Sequence, residues 1–185
     1  MVPGLVSPGT DPGTLLASLS SPFTTIDTSG TLVSAVFRDS AGTLDFYYQV
    51  NNDLSSTGPI SRETNSIFTG FATNVGFRLD GASLAGTGFV NATVMPVTTD
   101  RNTLSSVVGF SFNPPDPTKI QPGQTSTVLV ISTNATQFTS GFASVIDGGA
   151  TTVASFAPTV VPEPSSIAFI AIGGLLVARC VRRKR

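Results

Sequence analysis

Short runs of apolar residues with a period of two fill most of the chain between Gly30 and Phe156. The clearest run has apolar side chains at every second position, with Leu44, Phe46, Tyr48 and Val50 alternating with Asp45, Tyr47 and Gln49. Successive side chains of a β-strand point to opposite faces, so this pattern predicts a strand with one buried and one solvent-facing side. No long stretch between residues 20 and 160 has the period of a helix. The sequence therefore predicts an all-β protein.

Similar runs recur at short intervals along the chain. They span 32–38, 67–71, 75–79, 89–94, 107–112, 127–132, 142–146 and 151–156. Residues that favour turns lie between them, and Asp147-Gly148-Gly149 predicts a hairpin that joins the last two strands. About nine short strands at such spacing favour an antiparallel β-sandwich or jelly roll.

The distribution of Pro, Gly and apolar residues divides the chain into four parts. Residues 1–20 contain several prolines and glycines and predict an extended lead-in, in which 14–19 is the only helix-like stretch. Residues 21–158 hold the alternating runs and predict one β-sandwich domain. A linker is expected over 159–164, and a short transmembrane helix with a basic tail over 165–185.

Charge and residue usage exclude several classes of function. Residues 1–160 contain ten Asp and Glu but only five scattered Lys and Arg. Nucleic-acid binding needs basic residues gathered on one face, so no nucleic-acid partner is expected. The sequence has no His and a single Cys, which removes the usual general base and any internal disulfide. Catalysis would have to use carboxylates, and we expect neither an enzyme nor a cofactor.

Two carboxylate pairs and one aromatic residue are candidates for a functional role. Asp39 with Asp45, or Asp27 with Glu63, could pair in a cleft for acid–base work on a glycoside. Ordinary turn formation explains these single acids better, because they are scattered through a chain rich in Gly, Ser and Asn. Tyr47 is expected to point outward from its strand, where it could stack on a sugar ring or simply pack across strands. No metal-binding loop motif is present.

The C-terminal tail combines three features in a fixed order. Val161-Pro162-Glu163-Pro164 holds the backbone extended. The uncharged run 165–178 follows, and at 1.5 Å per residue it would span about 21 Å as a helix. The chain then ends in the basic residues Arg179, Arg182, Arg183, Lys184 and Arg185. This order predicts a membrane-inserting helix whose basic end stays in the cytoplasm and leaves the preceding domain outside.

The tail resembles the PEP-CTERM sorting signal, in which a Pro-Glu-Pro motif precedes a short hydrophobic helix and an arginine-rich end. Pro162-Glu163-Pro164 supplies that motif, and Arg179 to Arg185 supply the basic end. The resemblance implies recognition by an exosortase, a membrane-embedded processing enzyme that releases or transfers its substrate at the cell surface. It also implies an exported bacterial protein, anchored in the membrane before processing and then located at the surface or outside the cell.

Members of this class normally begin with a signal peptide, which residues 1–20 do not resemble. We therefore expect that Met1 is an internal start or that the chain is a fragment. A structural or adhesive role in the extracellular matrix is the first functional expectation. A carbohydrate-binding module that acts on exopolysaccharide is the alternative, and a hydrolase ranks third.

Overall fold

The computed structural model describes residues 1–104 and 106–160, and these residues form an all-β body, as predicted. Its eleven strands are β1 (Gly4–Leu5), β2 (Thr14–Thr24), β3 (Ser29–Arg38), β4 (Leu44–Asn52), β5 (Arg62–Ser66), β6 (Thr73–Arg78), β7 (Thr98–Arg101), β8 (Val107–Ser111), β9 (Val128–Thr133), β10 (Gln137–Ile146) and β11 (Ala150–Thr159). Two short 3-10 helices, Gly81–Ser83 and Asp116–Thr118, lie in the loops. The expected C-terminal helix lies outside the described residues.

The strands form one sheet of six and one of five. The six-stranded sheet has the order β1-β6-β9-β4-β3-β2, and the five-stranded sheet has the order β11-β10-β5-β8-β7. All neighbouring strands are antiparallel except β1 and β6. The predicted hairpin at Asp147 is confirmed, because β10 and β11 pair antiparallel from Ile146 opposite Ala150.

The main hydrophobic core lies between the two sheets. Alternate residues of β4, including Phe46 and Tyr48, meet Phe110 of β8 and Val145 of β10 in one buried cluster. Phe46 also packs edge-on against Phe68, with ring centroids 5.6 Å apart. Full burial of each such apolar side chain contributes roughly 1.5–3 kcal/mol, so this face of β4 anchors both sheets.

The opposite face of the six-stranded sheet is also buried, which corrects the expectation for Tyr47. Tyr47 retains 2% exposure and packs against Phe37 with ring centroids 4.8 Å apart. Leu84 and Phe89, from the long loop between β6 and β7, cover this second cluster. Burial, together with the charge of Asp45, raises the pKa of Tyr47 to about 12. Tyr47 is therefore not a solvent-facing platform for a sugar.

The N-terminal segment is held across that covered face. The side chain of Arg78, at 1% exposure, forms an ion pair with Asp80 at 2.8 Å. Arg78 also donates to the carbonyl of Thr10, and Asp80 accepts from the backbone N–H of Gly9. Strand β2 begins at Thr14, inside the predicted lead-in, and pairs along its length with β3. Residues 1–20 therefore contribute strands to the body.

Several predicted strands differ from those observed. Residues 67–71 and 89–94 form loops, whereas the polar segments Arg62–Ser66 and Thr98–Arg101 form strands. Ile67 adopts φ = 72°, which ends strand geometry at that point. Hydrophobic periodicity misses β5 because its inward-facing residues, Glu63 and Asn65, are polar yet fully buried.

Candidate functional site

A polar groove of about 440 Å³ opens at one end of the body, where β4 and β6 begin and β9 ends. In the sheet register, Asp45 lies opposite Ser132, and Ser132 lies opposite Asn74. These three residues thus form a row across adjacent strands. The groove is lined by Asp39, Thr43, Asp45, Ala72, Thr73, Asn74, Ser132, Thr133 and Asn134. We call this feature the end groove.

Asp39 shapes one wall of the end groove through the turn between β3 and β4. Its Oδ1 accepts the backbone N–H of Thr43 at 2.8 Å, and its Oδ2 accepts the Thr43 hydroxyl at 2.7 Å. The hydrogen bond from the Thr43 side chain lowers the pKa of Asp39. Asp39 is therefore an ionised carboxylate whose oxygens already have partners.

Asp45 has the opposite environment within the same groove. Burial raises the pKa of Asp45, and the charge of Asp39 raises it further, against a hydrogen bond from Ser132 that lowers it. The structure therefore brings together Asp39 and Asp45, the first of the two carboxylate pairs considered from the sequence. Their pKa values are displaced in opposite directions, as carboxylates with different roles in one site often are.

Two asparagines provide further polar groups at the groove. The Asn74 side chain is exposed and makes no hydrogen bond within the described part of the chain. Asn134 accepts the backbone N–H of Ala72 through Oδ1 at 2.9 Å, and its amide nitrogen makes no hydrogen bond within the described residues. The groove thus presents carboxylate, amide and hydroxyl groups in a small volume, which suits a ligand rich in hydroxyls.

The second carboxylate pair is not assembled. Asp27 lies in the surface turn between β2 and β3, and its backbone carbonyl accepts from Thr57 and Gly58. Glu63 is fully buried between the sheets. Val161, Pro162, Glu163 and Pro164 of the proposed sorting motif, and the basic residues Arg179, Arg182, Arg183, Lys184 and Arg185, lie outside the described residues.

Residues 1–104 and 106–160 contain neither a cluster of metal-ligating side chains nor a membrane-spanning helix. No group of three or more His, Cys, Asp or Glu side chains is placed to hold a metal ion there. Over the same residues, no helix has the length and apolar character needed to cross a membrane.

Sequence reasoning missed one exposed aromatic residue, Phe142, which retains 56% exposure on β10. Its neighbours in sequence give no sign that this phenylalanine faces solvent.

The chain leaves the body at the same end as the groove. Thr159 at the end of β11 lies opposite Gln137 at the start of β10, and Gln137 follows shortly after Asn134 of the groove wall. The guanidinium of Arg38 reaches the carbonyl of Thr136 in this same end loop. The opposite end carries the 24–29, 52–62 and 146–150 loops. Residue 160 and the end groove therefore lie at the same end of the body, which we call the exit pole.

Comparison with known proteins gives no relative for this chain: no family model, no curated protein and no solved structure matches it.

Proposed function

We propose that this protein is an exported bacterial surface or extracellular-matrix protein, sorted by its C-terminal tail, with a structural or adhesive role and no enzymatic activity. The observation that carries the proposal is the arrangement at the end of the body. Strand β11 runs to Thr159, two residues before Val161-Pro162-Glu163-Pro164. A folded domain thus leads directly into an extended motif, an uncharged run and a basic end, in the order that a processing enzyme in the membrane would need.

The body suits a structural role outside the cell, where the folded domain must be stable without helper interactions. We assign its two sheets to an antiparallel β-sandwich, followed by a single short membrane helix over 165–178. The main core draws on both sheets, and a second cluster seals the outer face of one of them. Such double burial stabilises a domain that has no disulfide and few charges.

The sorting role is tested by Glu163→Ala in a host that carries an exosortase, with an export-competent form of the chain. The uncharged run is untouched, so membrane insertion should persist, while the processing enzyme loses its recognition residue. Full-length protein should accumulate in the membrane fraction, as followed by immunoblotting for chain length. Asp116→Ala is the matched control, because it removes an acidic side chain from the body surface. Normal release of Glu163→Ala would contradict the proposal and favour a simple membrane anchor.

A second candidate function, binding of exopolysaccharide, is supported by the end groove. Asp45, Asn74 and Asn134 offer planar carboxylate and amide groups that can bond to neighbouring sugar hydroxyls. No aromatic residue lines the groove, so binding would rest on hydrogen bonds. Residues 1–160 should bind hydroxyl-rich glycans on an array, and Asp45→Asn together with Asn74→Ala should abolish the signal. The Asp116→Ala variant should bind normally, and equal binding by all three proteins would exclude the groove.

A further inference from the structure

We propose that the exit pole of the body rests on the headgroups of the membrane that holds the tail, so that the end groove is covered until the tail is cut. This inference rests on the proposed membrane anchor, and it adds a control over access to the groove. The partner surface is the phospholipid bilayer itself. The position of residue 160 beside the end groove and the short length of chain that follows it both favour this arrangement.

The length of chain between body and membrane is short. Only the four residues 161–164 lie between Val160 and Ser165, where the uncharged run begins. The five steps from residue 160 to residue 165 reach at most about 17 Å when fully extended. The headgroup region on each side of a bilayer takes up roughly 5–7 Å of that distance. The end of β11 is therefore held within about 10 Å of the lipid surface by chain length alone.

The fold places the groove beside that point of attachment. Asn134 lines the groove, and Gln137, three positions later, pairs with Thr159 at the end of β11. A domain that is attached to the membrane through the end of β11 has its exit pole toward the lipid. The hairpin at Asp147 lies at the far end of the same two strands, about 30 Å away for strands of ten residues.

Thiol labelling of the full-length chain in vesicles tests this orientation. Cys180→Ser provides a background without thiols, and vesicles of phosphatidylcholine with phosphatidylglycerol provide the membrane. Asn74→Cys reports on the groove, and Leu54→Cys, at a position with 84% exposure near the opposite end, is the matched control. A polyethylene-glycol maleimide that cannot cross the bilayer is the probe. Each labelling rate is divided by the rate of the same variant in detergent.

We expect Asn74→Cys to label about tenfold more slowly than Leu54→Cys in vesicles. A tenfold ratio corresponds to a free energy of roughly 1.4 kcal/mol in favour of the covered groove. Insertion of about twenty Gly and Ser residues after Val160 gives a flexible spacer of roughly 25 Å and should remove the difference. Equal rates with the native spacing would overturn the proposal. Protection that persists with the long spacer would also overturn it, because the fold rather than the membrane would then be the cause. A chain that fails to float with the vesicles would instead refute the membrane anchor itself.

Discussion

The side-chain amide of Asn65 donates a hydrogen bond to Oε2 of Glu63 at 3.0 Å, and both side chains are fully buried between the sheets. Glu63 Oε1 and Asn65 Oδ1 have no hydrogen-bond partner within the described part of the chain. Buried acceptors without a partner are costly, and a buried carboxylate is costlier still, so protonation of Glu63 lowers the cost of burying its side chain. Burial raises the pKa of Glu63 to about 8, against weaker lowering by Asn65 and Arg62.

The free energy of unfolding of residues 1–160 should therefore fall as pH rises from about 4.5 to about 8. The folded state keeps a proton on Glu63 that the unfolded state has lost, so the stability contribution is complete below pH 4.5 and disappears through pH 8. The expected slope is about 1.4 kcal/mol per pH unit. Urea denaturation at four pH values across this range measures it.

Glu63→Gln is the matched control for that pH dependence. A glutamine can still accept from the Asn65 amide, as Glu63 does, and it carries no group that ionises in this pH range. We expect the variant to unfold with a nearly constant free energy over the same pH range. Burial, and after it the charge of Glu63, raises the pKa of Tyr48 well above its ordinary value. A wild-type profile as flat as that of Glu63→Gln would show that Glu63 is ionised or exposed.

Asp147 should stabilise the end of the body opposite the groove. Its Oδ2 accepts the hydroxyls of Thr28 at 2.5 Å and Thr25 at 2.7 Å, so it joins the β2–β3 turn to the β10–β11 turn of the other sheet. Asp147→Ala removes these charge-assisted bonds and should lower the free energy of unfolding by about 1.5–3 kcal/mol. Asp116→Ala, which breaks an exposed ion pair with Lys119, should cost less than about 1 kcal/mol. Equal losses in urea denaturation would show that the two turns are not coupled.

The buried ion pair that holds the N-terminal segment should matter far more than an exposed pair of the same type. Arg78→Met leaves Asp80 without its cation and the carbonyl of Thr10 without its donor, at an expected cost of about 3–5 kcal/mol. Arg62→Met breaks the pair with Asp100, whose side chains are 28% and 56% exposed, and should cost less than about 1 kcal/mol. Thermal unfolding of both variants gives the comparison. Similar losses would mean that Arg78 is solvated in the folded protein.

The all-β class was predictable because strand periodicity is a local property of the sequence. The alternation in β4 identified Phe46 and Tyr48 as core residues. The same reasoning was wrong for Tyr47, because the loop with Leu84 and Phe89 folds over the outer face of the sheet. Burial of a second face depends on distant chain segments, and period-two patterns carry no information about them.

The candidate site was only partly predictable for the same reason. Asp39 and Asp45 are close in sequence and share one hairpin, so their pairing could be considered from the sequence alone. Asn74 and Asn134 join them only because β6, β9 and β4 are neighbours in the sheet. Strand order follows from non-local pairing, which no single run of residues specifies.

The basic end of the tail should act as the stop that fixes the chain in the membrane. Replacement of Arg179, Arg182, Arg183, Lys184 and Arg185 by Ser removes groups that each cost about 2.5–3.5 kcal/mol at the centre of a bilayer. Without that barrier the uncharged run should slip through, so uncleaved full-length chain should appear outside the cell. This location differs from that expected for Glu163→Ala, whose full-length chain should stay in the membrane. Fractionation and immunoblotting of both variants in the exosortase-bearing host distinguish them. If the serine variant stays anchored and is processed normally, the basic residues have no role as a stop, and the hydrophobic run alone must hold the chain.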